Sequence, residues 1–129
     1  MYFGVVETES LENPSVLKSL NVIKEIVENH PEANEKIWHV NILKVGDNKI
    51  EDVINNISKV MKKGWFSIFW NDEKVYTVLL NKTFKLKKDY WKSSDFNEFK
   101  NYAIENEVEE FYLDFNKNFK YYNRLISLL

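Results

Sequence analysis

The spacing of apolar residues changes along this chain, and each change marks an element. The runs Trp65-Phe66-Ser67-Ile68-Phe69-Trp70 and Val75-Tyr76-Thr77-Val78-Leu79-Leu80 flank the polar turn Asn71-Asp72-Glu73-Lys74 after Gly64, which predicts a β-hairpin. Both runs are apolar at nearly every position, so the hairpin is expected near the centre of a sheet covered on both faces. Tyr2 to Thr8 suits an N-terminal strand, and Ile37 to Val45 alternates as another. Residues 21 to 29 fit two patterns. Leu20, Ile23 and Val27 share a helical face, whereas Val22, Ile23, Ile26 and Val27 make a β-branched strand buried on both faces. The strand is preferred, which makes residues 21 to 45 a hairpin. The alternative joins residues 14 to 29 in one helix and gives a ferredoxin-like α/β sandwich.

Helical spacing is clearest at Ile50, Val53, Ile54, Ile57, Val60 and Met61, with Asp47 or Asn48 as cap, Lys62 and Lys63 in the last turn and Gly64 as C-terminal stop. Asn13-Pro14-Ser15 reads as the start of a short helix, with Asn13 as N-cap. Phe84 and Leu86 suggest an edge strand protected by lysines. Ser93, Ser94 or Asp95 then caps a helix through Phe96, Phe99, Tyr102 and Ala103. Phe111, Phe115, Phe119, Tyr122, Ile126 and Leu129 form a final amphipathic stripe. These elements predict one α+β domain, a mainly antiparallel sheet of about five strands with two or three helices packed on it.

Composition narrows the functional classes more than it selects one. The 129 residues suit a single domain able to hold its own core, and 44% hydrophobic with 29% charged residues is a globular balance. Aromatic residues reach 16%, enough for some rings to serve partner contacts. The net charge of −2 and a single arginine, Arg124, disfavour nucleic-acid partners and bidentate phosphate recognition. Cysteine is absent, which removes disulfides, thiolate metal sites and cysteine nucleophiles. No basic leader precedes Tyr2 and no apolar run approaches about eighteen residues, so a cytoplasmic protein with no membrane partner is expected.

The order Ser10-Leu11, Asn13-Pro14-Ser15-Val16-Leu17, Trp38-His39-Val40, Gly64-Trp65-Phe66, Phe69-Trp70-Asn71-Asp72, Val75-Tyr76, Phe84 and Leu113-Asp114-Phe115 resembles a family of small bacterial and archaeal proteins with no assigned activity. The resemblance spans residues 2 to 115 and implies one α+β domain without a known cofactor. Its members end near Leu113-Asp114-Phe115. Residues 116 to 129 depart from that pattern and are expected to form a C-terminal helical extension of the 1 to 115 domain.

Chemical signals are sparse. His30 and His39 are the only imidazoles, and neither has metal-ligand spacing; His39 reads as a half-buried strand residue and His30 as a loop residue. Glu7, Glu9 and Glu12 cluster after the first strand, with alternation placing Glu7 and Glu9 on one side, and read as a solvated acidic loop rather than an ion site. Glu105, Glu107, Glu109 and Glu110 suggest a charged helix start. No Gly-rich phosphate loop or Gly-x-Ser-x-Gly setting occurs. No catalytic, cofactor-binding or metal-binding residue is therefore assigned.

Partner-binding candidates are Lys85, Lys87, Lys88, Tyr90 and Trp91 in the basic, aromatic segment Lys82 to Lys92, and Phe119, Tyr122 and Ile126 on the C-terminal stripe. The leading expectation is a non-enzymatic binding or interaction domain, with a homodimer through the last helix as one form. Single-stranded nucleic-acid binding through Lys82 to Lys92 ranks second. An enzyme using His39 and a carboxylate ranks third.

Overall fold

The computed structural model describes residues 1–87 and 94–127. Six strands form one antiparallel sheet: β1 (Tyr2–Glu7), β2 (Asn21–Asn29), β3 (Ile37–Val45), β4 (Ser67–Trp70), β5 (Lys74–Leu79) and β6 (Lys82–Lys87). Their order is β2-β3-β1-β4-β5-β6, and every neighbouring pair is antiparallel. The helices are α1 (Ile50–Val60), α2 (Ser94–Glu105) and α3 (Phe115–Ser127), giving an α+β single-domain fold.

Alternation sorts the strand residues onto two apolar faces, and each face has its own cover. On one, Val6, Leu43, Val45, Phe69, Tyr76 and Val78 pack against Ile50, Val53, Ile54 and Ile57 of α1. On the other, Val5, Val40, Ile68, Trp70, Val75 and Leu86 meet Phe96, Phe99 and Ala103 of α2 and Phe115 of α3. The β4–β5 hairpin is buried along almost its whole length, as its continuous apolar pattern requires. Its turn is held by Asn71, whose Oδ1 accepts from the amides of Glu73 and Lys74. Trp65 and Phe66 precede β4 rather than belong to it.

Residues 21 to 29 are strand, and residues 14 to 19 form a separate 3-10 helix, so the single helix behind the ferredoxin-like alternative is absent. The expected burial of this strand on both faces is corrected: β2 is an edge strand with no residue fully buried, and Val22 and Val27 are exposed. A register irregularity between Val22 and Lys24 interrupts its pairing with β3. Two details of α1 also differ. Neither Asp47 nor Asn48 supplies a cap; Lys49 holds the N-cap position with no side-chain bond. The helix stops at Val60 because Leu11 pairs with Met61, so Lys62 and Lys63 lie outside its last turn, and Gly64 (φ +87°) shapes a later turn.

The C-terminal stripe is divided. Glu110–Leu113 is a 3-10 turn, α3 begins only at Phe115, and Phe111 points outward, 70% exposed. Phe119, Tyr122 and Ile126 pack onto the α2 side of the sheet. Leu129, Ser93 as cap, and Lys88, Tyr90 and Trp91 among the partner candidates lie outside the described residues.

On β1, Gly4 stands opposite Phe69 of β4, whose ring edge occupies the place a Cβ would take. Overpacking at such a site costs about 1–3 kcal/mol. Gly4→Val is expected to destabilise the protein by that amount, measured as a lower urea midpoint with an unchanged slope.

Candidate functional site

The α2–α3 face does not close completely. A cavity of about 470 Å³ opens where the end of β1, the β2–β3 loop, the turn before β4 and the segment between α2 and α3 converge. Trp38 and Trp65 touch on its wall, with ring centroids 4.9 Å apart and planes inclined at 57°, and the Tyr112 ring centroid lies 5.2 Å from that of Trp38. Tyr122 of α3 adds a further ring to the wall. Trp38 is fixed by its indole N–H, which donates to the Glu35 carbonyl at 2.7 Å, and by His30, stacked on it at 3.6 Å. Trp70 instead packs between Phe3, Phe119 and Tyr122.

Glu7 reaches this cavity from the last residue of β1. Phe3, Val5 and Glu7 occupy one phase of the strand, and that phase points beneath α3. Glu7 as a residue is 7% exposed, and its buried Oε2 has no hydrogen-bond partner among the described residues. Burial chiefly pushes its pKa up to about 8, and the charges of Glu28 and Glu9 push in the same direction; a hydrogen bond with its own backbone opposes them. At neutral pH the group is mostly the protonated acid.

The strand end carrying Glu7 is locked in place. Ser10 Oγ donates to the Glu7 carbonyl at 2.6 Å, and the Glu12 and Lys62 amides bond across to Val60 and Ser10. Thr8–Ser10 is a 3-10 turn, which breaks the alternation and corrects the expectation that Glu7 and Glu9 share a side. Glu28 of β2 braces α3: its Oε1 lies 2.9 Å from His30 Nε2, and its Oε2 accepts from Tyr121 Oη at 2.7 Å. Burial and Glu28 push the Tyr121 phenol up to about 12. Burial first, then the charges of Glu7 and Glu28, hold Tyr122 well above the usual phenol range.

The rim includes an unusual backbone. The amide of Val108 bonds to the Ala103 carbonyl and that of Glu107 to the Ile104 carbonyl, a Schellman ending for α2. Glycine is the usual residue at the left-handed position of that motif; here it is Glu107, with φ +72°. Glu105 to Glu110 therefore end one helix and lead into the next turn rather than start a helix, which corrects the sequence expectation.

Glu9 turns to the opposite face and binds His39. One carboxylate oxygen accepts from the His39 amide at 2.5 Å and the other lies 2.6 Å from Nδ1. The hydrogen bond and charge of Glu9 raise the pKa of His39, with Glu25 adding to them. A histidine and a carboxylate thus meet, but no hydroxyl is hydrogen-bonded to His39 among the described residues. Among the described residues no group of three or more His, Asp or Glu side chains is arranged to hold a metal ion. Lys85 and Lys87 lie on the edge strand β6, remote in the sheet order from Glu7; Lys85 Nζ stands 5.6 Å from the Tyr76 ring centre. No helix among the described residues is long and apolar enough to cross a membrane.

Two pH dependences follow. The folded state holds a proton on Glu7 that the unfolded chain releases above the ordinary carboxyl range, so the burial penalty is absent at acid pH and grows as pH rises toward about 8. Glu7→Gln is expected to stabilise the fold by a few kcal/mol at pH 9, at about 1.4 kcal/mol per pKa unit, and to lose that advantage near pH 5 in thermal melts. For His39 the sign is the reverse. Its raised pKa stabilises the fold below the ordinary histidine range, and that contribution disappears as pH rises through the folded-state value. Glu9→Gln is expected to lower the His39 pKa in an NMR titration and to remove this acid-side stabilisation.

Compared with protein-family models, with curated proteins and with solved structures, the chain matches none, so its functional reading rests on this geometry.

Proposed function

We propose that the protein is a small-ligand binding domain whose site is the cavity between the end of β1 and the α2–α3 segment. The observation that carries this reading is the buried, unpartnered Glu7 Oε2 on the wall of an aromatic cavity. A polar atom left without a partner in a protein interior costs free energy, and a ligand that bonds it recovers that cost. A cavity of about 470 Å³ is within the range of small-molecule sites, and rings with a few convergent polar groups are their common lining. Trp38 and Trp65 supply area for a flat or compact ligand, and Glu7 fixes its orientation.

Binding rather than turnover is favoured because the cavity wall has no histidine or serine among the described residues. The other carboxylates on the wall, Glu35, Glu107 and Glu109, are exposed, so among the described residues Glu7 has no second buried carboxyl beside it of the kind that paired acid–base chemistry uses.

The reading is tested by NMR with an indole-labelled protein and a fragment set containing neutral, anionic and cationic members. Fragments that bind are expected to shift the indole signals of Trp38 and Trp65 and leave Trp70 unchanged, and Trp65→Ala is expected to weaken them by about tenfold or more. A set in which no fragment of any charge perturbs Trp38 or Trp65 would overturn it.

A further inference from the structure

We infer that the ligand of this cavity is an organic cation bearing N–H groups, a protonated amine or amidine whose charged head bonds Glu7 and lies against the rings of Trp38 and Trp65. This rests on the reading of the cavity as a ligand site and names the ligand's chemistry.

Three observations converge on a cation. The first is Glu7 itself, an oxygen acceptor buried without a donor. The second is the ring set: the faces of tryptophan and tyrosine attract cations, most strongly where water is excluded, and Trp38, Trp65, Tyr112 and Tyr122 surround the same space. The third is the balance of charge on the wall, where Glu35, Glu107 and Glu109 stand with Lys63 as the one basic residue among the described residues. Lys63 Nζ lies 3.9 Å from Glu107 Oε1, partly engaged already. An anion would be repelled by these carboxylates, whereas a cation is attracted by them.

Glu107 strengthens the case from an independent direction. A non-glycine residue in the left-handed region is conformationally disfavoured. Glycine would end α2 without that strain, yet the position carries a carboxylate on the cavity wall.

Cation binding must move a proton. Glu7 lies within electrostatic reach of Glu9, Glu28 of β2 and Tyr122 of α3, and shares the cavity with Glu35, Lys63, Glu107 and Glu109; among the described residues no basic group bonds its Oε2. A protonated amine supplies the missing positive partner, so Glu7 ionises as the ligand enters and its proton passes to solvent. The amine keeps its own proton.

The test is titration calorimetry of the full chain at pH 7 in phosphate and in HEPES, whose different ionisation heats report proton release and neither of which is a primary amine. The probes are benzylamine, benzamidine, benzyl alcohol and phenylacetate. Benzylamine and benzamidine are expected to bind at least about tenfold more tightly than benzyl alcohol, with phenylacetate weakest and up to one proton released per bound cation. Glu7→Gln is expected to lose that preference and the proton release together. Glu107→Gly is expected to weaken the cations a few-fold while raising the melting temperature. Nα-acetyl-lysine methylamide binding as well as n-butylamine would assign the cation to a lysine side chain of a partner; weaker binding would assign it to a free amine. Benzyl alcohol or phenylacetate binding as tightly as the amines would overturn the cation and leave the ligand site standing. Silence from all probes, with fragments absent from the cavity as well, would overturn both.

Discussion

One sheet with two apolar faces must be covered twice, and the rest of the molecule is arranged around that requirement. Strands β4 and β5 carry large side chains in both phases, Phe69, Tyr76 and Val78 toward α1 and Ile68, Trp70 and Val75 toward α2 and α3. Leaving either face wet would expose more apolar surface than a small domain tolerates. The α1 side is covered by one regular helix, with Val16, Leu17 and Leu20 packed beside it. The other side is closed by three separate pieces, α2, a 3-10 turn and α3, and the cavity opens beside the segment that joins them.

The candidate site is a consequence of that imperfect cover. At the edge of a wholly apolar layer the last inward position of β1 is occupied by a glutamate instead of another hydrophobe. Its surroundings are aromatic, so the carboxyl loses solvent while its Oε2 gains no donor among the described residues, and a hydrogen bond with its own backbone offsets only part of the cost of charge. The bracing around it involves polar contacts on neighbouring elements. Glu28 holds His30 and Tyr121, and His30 stacks on Trp38, so the cavity wall is tied to both β2 and α3. Such second-layer support fixes ring positions before any ligand arrives.

Much of this architecture was legible in the pattern of residues. The Asn71 turn, the spacing of Ile50 to Ile57 and the lysines of β6 each pointed to the element that forms, because each depends on neighbours within one or two turns of chain. Tryptophans and the acidic cluster were equally visible, but their meaning was not. Glu7 and Glu9 look alike in sequence; a three-residue 3-10 turn sends one beneath α3 and the other to His39. The phase Phe3-Val5-Glu7 was the one available signal that Glu7 points inward. Phe111 and Phe115 keep helical spacing, yet the chain breaks between them, and spacing alone does not register a break.

By itself, then, the sequence determined the local elements and the need for a doubly covered sheet, since periodicity and turn chemistry act over a few residues. Tertiary structure decided which strand lay at the edge, where the covering helices stopped short, and that a single carboxyl would be buried unpaired among aromatic rings. Those outcomes depend on contacts between β1, the Gly64 turn and α3, segments far apart in sequence, whose burial and electrostatics exist only after the chain has closed upon itself.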